Sequence, residues 1–192
     1  MIVMRFLGVA MGALLAALVL ATGALATELK AANPQPAADK LKPGLAVVYY
    51  YAMFENVKDI TKLGKGKAGP PIATLDHKAD MKPVLTSESA MGVGAQITGF
   101  IKFAAAGKHT LKILSNDGVR LAIGGAVLHE DGGIHSDTWS PALDVNVPAP
   151  GWYPLAIDYF QKKGTSALRL VWTPPGGKEE VVPASAYAHL PK

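Results

Sequence analysis

The 192-residue chain contains no cysteine, so no disulfide holds it together and no lipid-modified cysteine anchors it. Its stability has to come from core burial. A long helical period is absent as well: no stretch repeats apolar residues at three- and four-residue spacing. The excess of basic over acidic residues is small and dispersed. Lys62, Lys65 and Lys67 form the one tight cluster, set among glycines, which reads as a solvated loop. A nucleic-acid surface would need a basic stripe with aromatics interleaved, and none is present. No glycine-rich segment leads into a helix, so Gly64-Lys65-Gly66-Lys67 is not a phosphate loop. Paired carboxylates of the glycosidase kind are missing too, because Glu55, Glu88, Glu179 and Glu180 sit in irregular stretches without aromatic platforms. Internal repeats are absent.

What is present begins with an export signal. Arg5 is the only charge ahead of an apolar run from Phe6 to Ala21, and Ala24-Leu25-Ala26 supplies the small-x-small pattern of a signal peptidase site. Cleavage is expected before Thr27, the alternative being an uncleaved anchor, since the run approaches the ~18 residues that span a bilayer. Removing Arg5 from the 19 Lys and Arg leaves 18 against 15 Asp and Glu, a small excess. Residues 27–43 are rich in Ala, Pro and Lys, with Pro34, Pro36 and Pro43, and read as a linker. One domain is expected over 44–192; a chain of about 150 residues can build one good core.

Within that domain Leu45 to Phe54 is apolar and aromatic, a predicted first strand. Glu55 to Ser89, broken by Gly64, Gly66, Gly69, Pro70, Pro71 and Pro83, reads as irregular. Strict alternation then marks half-buried strands. Ile97, Gly99, Ile101 and Phe103 share one face; so do Leu111 and Ile113; Val119, Leu121 and Ile123; Leu143, Val145 and Val147; Tyr153, Leu155, Ile157 and Tyr159; Leu168, Leu170 and Trp172. Turn signals separate them, among them Asn116-Asp117-Gly118, Gly124-Gly125 and Lys163-Gly164. Short strands at this spacing predict an all-β fold, an antiparallel sandwich or barrel.

Candidate chemistry is sparse. Asn116-Asp117-Gly118 is a turn triplet first, since Asn and Asp tolerate left-handed backbone angles and Gly adopts them freely. Its clustered oxygens also suit a hard cation or sugar hydroxyls. His129, Asp131, His135 and Asp137 lie close in sequence, but Gly132-Gly133 intervenes and the spacing is not that of zinc ligands, so the segment reads as a polar loop bonding to itself and the backbone. Ser136 next to His135 and Asp137 is no triad, because the base must meet the nucleophile from elsewhere in the fold. Trp139 and Tyr187 are candidates for stacking on the apolar face of a sugar, whereas Trp152 and Trp172 are expected in the core.

Seven short motifs in order complete a pattern: Ser115-Asn116-Asp117-Gly118-Val119-Arg120-Leu121; Ile123-Gly124-Gly125; Asp131-Gly132-Gly133-Ile134-His135; Gly151-Trp152-Tyr153-Pro154-Leu155; Asp158-Tyr159-Phe160-Gln161; Leu168-Arg169-Leu170-Val171-Trp172 with Pro175-Gly176; and Val182-Pro183-Ala184. The order resembles the domain family named for the toxin protective antigen, the PA-fourteen domain, over about Gly44 to Leu190. The resemblance implies an antiparallel β-sandwich of two packed sheets, jelly-roll-like, a module found in glycosidases, adhesins and toxins and usually read as carbohydrate-binding. In lectin-like members two consecutive aspartates joined by a cis peptide bind calcium, which in turn binds sugar hydroxyls. Those positions correspond here to Asn116 and Asp117, with Gln161 as a further side-chain ligand and loop carbonyls near Lys163. Here Asn116 replaces an acidic residue, and Gln161 is neutral and one methylene longer than the usual Asn. One full negative charge remains. Two unit charges at ~4 Å interact by roughly 4 kcal/mol at an effective dielectric of 20, so the loss of one carboxylate weakens calcium binding by orders of magnitude. Either calcium binds weakly with sugar present, or the turn is purely structural.

These readings predict an exported, secreted or periplasmic, monomeric and non-catalytic module. It is expected to bind a glycan such as cell-wall polysaccharide through Asn116, Asp117 and Gln161, with Trp139 stacking, and calcium on Asn116, Asp117 and Gln161. No nucleic acid is expected as partner, and no membrane once the signal is removed. The alternative is a structural or protein-interaction module of an envelope assembly with no sugar site; an enzyme ranks third.

Overall fold

A computed structural model describes residues 26–191. The expected export signal, residues 1–26, lies outside them apart from Ala26. Among the described residues no helix is long and apolar enough to cross a membrane.

Fifteen strands are present among the described residues: β1 (Thr27–Glu28), β2 (Lys42–Pro43), β3 (Leu45–Tyr51), β4 (Lys67–Ile72) and β5 (Asp76–Asp80). Then follow β6 (Val93–Phe103), β7 (Gly107–Asn116), β8 (Val119–Ile123), β9 (Ala126–Asp131) and β10 (Thr138–Trp139). The last are β11 (Leu143–Val147), β12 (Gly151–Gln161), β13 (Thr165–Thr173), β14 (Glu180–Val181) and β15 (Tyr187–His189). They form two sheets. One runs β1-β11-β7-β13-β14, with β10 on β7 and β5 on β13. The other runs β2-β15-β6-β12-β8-β9, with β3 pairing both β6 and β4. Every pairing among these strands is antiparallel except β1 with β11. The expected all-β sandwich is what the chain forms.

The alternation read from the sequence is the core. Ile97, Ile101 and Phe103 of β6, Leu121 and Ile123 of β8, and Tyr153, Leu155, Ile157 and Tyr159 of β12 face Leu111, Ile113, Leu168 and Leu170 of the other sheet. Such burial is worth about 1.5–3 kcal/mol per large apolar side chain. The Gly124-Gly125 pair makes the two-residue hairpin between β8 and β9, with φ of 58° and 79°, a left-handed pair that glycine adopts without steric penalty. Trp172 is buried as expected. Tyr187, expected as a stacking candidate, is instead buried in the core, because β15 pairs with β6 and carries the ring inward.

Two stretches differ from expectation. Residues 27–43, expected as a linker, are strapped to the sandwich. Glu28 pairs with Asn146, Leu29 N–H donates to the Asn146 carbonyl at 2.9 Å, and Leu29 is 1% exposed within the core. The Gln35 amide brackets Trp152, accepting from its N–H at 2.8 Å and donating to its carbonyl at 3.0 Å. Backbone bonds from residues 27–32, a single buried leucine and one bidentate amide do this, and none of them shifts the Ala/Pro/Lys composition that signals a linker. Residues 55–89, expected to be irregular, contain a 3-10 helix at Val57–Leu63 and the strands β4 and β5. Pro70 and Pro71 are tolerated because β4 is bonded on one side only, to β3. The 3-10 helix starts at a reciprocal cap: Asn56 Oδ1 accepts from Lys58 N–H at 3.0 Å and Asp59 Oδ2 from Asn56 N–H at 3.1 Å. It brings Val57 and Ile60 onto Tyr50, Phe54 and Phe160, a small second core on the outer face of the β6–β12 sheet.

Candidate functional site

At one end of the sandwich the loops after β7, β9 and β12 meet. The Asn116–Asp117 peptide is cis. Its turn is laced to the end of β12: Asp117 N–H donates to the Phe160 carbonyl at 3.0 Å, and Phe160 N–H donates to the Gly118 carbonyl at 3.0 Å. Gly118 has to be glycine, since a Cβ there would stand 2.6 Å from the Phe160 ring and 2.8 Å from the Gly132 backbone. From below, Tyr159 O–H crosses between the sheets and donates to the Asn116 carbonyl at 2.6 Å. Burial pushes the Tyr159 phenol well above its ordinary pKa, and the Asp117 charge adds to the effect. That hydroxyl therefore stays a donor, and the turn rests on a fixed support.

Both expected turn residues are buried, and three of their four side-chain polar atoms are committed. The carboxylate of Asp117 accepts from His135 N–H at 3.2 Å on Oδ1 and from Lys162 N–H at 2.7 Å on Oδ2. Asn116 Nδ2 donates to Asp137 Oδ1 and to Thr165 Oγ1, both at 2.9 Å. With the amide nitrogen thus fixed, Oδ1 of Asn116 is left for another partner. Asp137 Oδ2 pairs with Lys78 Nζ at 2.8 Å. Lys78 first, and the Asn116 amide second, hold the Asp137 carboxyl below its usual pKa.

Gln161 lies beneath the turn, 0% exposed. Its Nε2 donates to the Gly164 carbonyl at 3.2 Å, and its Oε1 has no hydrogen-bond partner. A buried amide oxygen without a partner costs about 1–3 kcal/mol, and a cation is one group that would satisfy it. The oxygens of Asp117, Asn116 and Gln161 fit calcium in kind, since hard cations take carboxylate and amide oxygens together. They bring one carboxylate. Among the described residues no three His, Cys, Asp or Glu side chains are grouped to hold a metal.

Above the turn is an open hollow of about 560 Å³, walled by Asn116 and Asp117, by Ile134, His135 and Ser136, and by the segment 162–165. Asn116 and Asp117 are thus at its floor, and Gln161 is behind it rather than in its wall. Trp139 does not join them. It is 42% exposed on β10, where its ring sits 5.5 Å from Lys112 Nζ. Trp152, expected in the core, is half-buried under Lys102, at 5.7 Å from its Nζ.

Two wall residues act through backbone groups, a role that leaves no signal in the sequence. His135 enters through its backbone N–H, which any residue would offer. Its ring does in part what the loop reading expects, with Nδ1 on the Ser136 carbonyl at 2.8 Å while the buried Nε2 has no hydrogen-bond partner. Lys162 likewise contributes a backbone donor to Asp117 while its ammonium pairs with Glu55. The loop is positioned from outside by the capped 3-10 helix, whose Val57 N–H donates to the Gly132 carbonyl at 2.9 Å.

Comparison with known proteins places this geometry. The PA14 domain model matches residues 41–186. No curated protein matches. Among solved structures, an anti-sigma factor domain-containing protein is similar with a TM-score of 0.64 at 19% identity, covering 78% of this chain and 48% of that one. This chain therefore spans about half the length of that neighbour. A "PA14 sugar-binding domain from RTX adhesin" is similar with a TM-score of 0.59 at 18% identity, over 77% of this chain and 98% of that one. The epithelial adhesin 9 A domain from Candida glabrata, in complex with Galb1-4GlcNAc, gives 0.65 at 12% identity, over 86% and 97%. At these identities the likeness is one of fold.

Proposed function

The chain belongs to the PA14 domain family, and from that premise we propose that it is an exported, non-catalytic carbohydrate-binding module whose site is the hollow over Asn116 and Asp117. The observation that carries this is the hollow itself: a recess on the scale of a small saccharide, floored by a turn held rigidly by Phe160, Tyr159 and Gly118. Its wall mixes what a sugar needs, hydroxyl- and amide-bearing side chains beside an exposed apolar one, Ile134. Two neighbours of the same fold are described as a sugar-binding domain and a complex with a galactoside. Export is supported by the sequence of residues 1–26.

Calcium enters as part of this proposal. Asp117, Asn116 and Gln161 would hold it, and the unpartnered Gln161 Oε1 supports the assignment. When bound, the cation would supply coordination for sugar hydroxyls. What the chain's own residues do is hold that floor still: His135 and Lys162 N–H groups fix the Asp117 carboxylate, and Thr165 and Asp137 fix the Asn116 amide.

One observation favours a second reading, a structural or protein-interaction module of the cell envelope. Both oxygens of Asp117 already have backbone donors, so the turn is self-sufficient without a cation. A glycan array run with calcium and with a chelator separates the two. The carbohydrate reading expects glycan binding that Asp117→Ala abolishes in a protein whose far-ultraviolet spectrum still shows the sandwich. For the calcium part, calorimetry should give heat for the wild type and none for Asp117→Ala. Silence on every glycan, or identical titrations of the two proteins, sinks the respective claim.

A further inference from the structure

Charge around the hollow is unevenly distributed between its floor and its face. Asp117 is acidic, but its carboxylate is buried and both oxygens are covered by backbone N–H groups. Asp137 is neutralised by Lys78 and also takes the Asn116 amide. The Lys162 ammonium is matched by Glu55. Lys163 is different. It lies in the wall, is exposed, and makes no ion pair among the described residues. Among the residues that wall the hollow, the one exposed charge without an oppositely charged partner is therefore positive.

We propose that the saccharide taken by this hollow is an anionic one, a glycan carrying carboxylated sugars such as uronic acids, with Lys163 as the residue that selects it. The inference rests on the carbohydrate reading above and adds the ligand's charge to it. An ammonium on a flexible stem suits this role, since it acts as a point charge that follows a carboxylate without demanding bidentate geometry. The wall also presents Ile134, 48% exposed, which suits the apolar face of the same ring.

The test uses the mature protein on an array of oligouronates and sialylated glycans, each beside its neutral methyl ester, followed by calorimetry on the strongest pair. The expected result is a preference for the acid of about tenfold or more, falling as salt is raised from about 50 to about 500 mM. Lys163→Gln should collapse that preference, and Lys163→Glu should invert it. Since Lys163 is exposed, neither variant threatens the fold. Equal binding of acid and ester overturns the inference while leaving the carbohydrate reading intact. A preference that survives Lys163→Gln but vanishes with a chelator assigns the selection to a bound cation and overturns the role of Lys163. Binding to no glycan at all removes the carbohydrate reading, and this one with it.

Discussion

At the residue scale, position 116 decides how the turn balances its charges. Asn116 donates to Asp137 and Thr165 through a nitrogen that an aspartate lacks. Asn116→Asp would put a second carboxylate against Asp137 with no proton between them. The variant should lose about 1–3 kcal/mol of stability without calcium and regain it with calcium, while its calcium affinity rises at least about tenfold. Thermal melts with and without the ion, beside a calorimetric titration, measure both; a variant no less stable and no tighter would mean that the neutral amide does not set the charge balance of the turn. The sequence marks Asn116 and Asp117 because turn chemistry and family pattern coincide on them. Gln161 is legible only by its place in the pattern, and its complete burial has no sequence signal. Trp139 stands out in the sequence because it is aromatic, yet its strand register against Leu114 sets it on β10, outside the hollow's wall.

Among the elements, those with period-two alternation are legible residue by residue, because alternate side chains of each pack against the facing sheet. The elements that alternation does not describe are not. β1 is two residues long and β4 is punctuated by Gly69, Pro70 and Pro71. Only pairing with strands distant in sequence makes them strands, and a local pattern carries no trace of that. The strap from Thr27 to Gln35 yields a direct test. Leu29→Ala should cost about 2–4 kcal/mol, the range for truncating a buried leucine, read as a drop in the denaturation midpoint. A linker residue would show no change. The hollow depends on elements of both kinds: β7 and β12 deliver its floor, and the 3-10 helix at Val57–Leu63, which has no periodicity to announce it, holds the loop at Gly132.

For the whole molecule, burial of histidines sets the response to pH. Burial holds His77, His109 and His129 below the ordinary histidine pKa. Above about pH 6.5 these rings are neutral whether the chain is folded or not, and they contribute no pH dependence. Below it the unfolded chain takes up protons that the fold refuses, so stability falls as the pH drops. Asp137 acts further down: its carboxyl is depressed by Lys78 and then Asn116, so its contribution is present above about pH 4 and is lost as the pH falls through its folded value. Melting temperature should thus be flat near neutrality, decline from about pH 6.5 to about 5, and decline again below about 4. A midpoint that climbs on acidification would contradict the burial of the three rings. The borders of the two sheets bear on a different matter, the danger that one molecule adds its strands to the next. β1, β2, β10 and β14 are two residues long, β4 carries two prolines, β5 reads Asp-His-Lys-Ala-Asp, and β9 is irregular against β8 and ends Glu130-Asp131. Each is too short, too charged or too kinked to template a continuous cross-β ladder. A module without disulfides, whose stability falls in acid, is thereby guarded at its margins against aggregation.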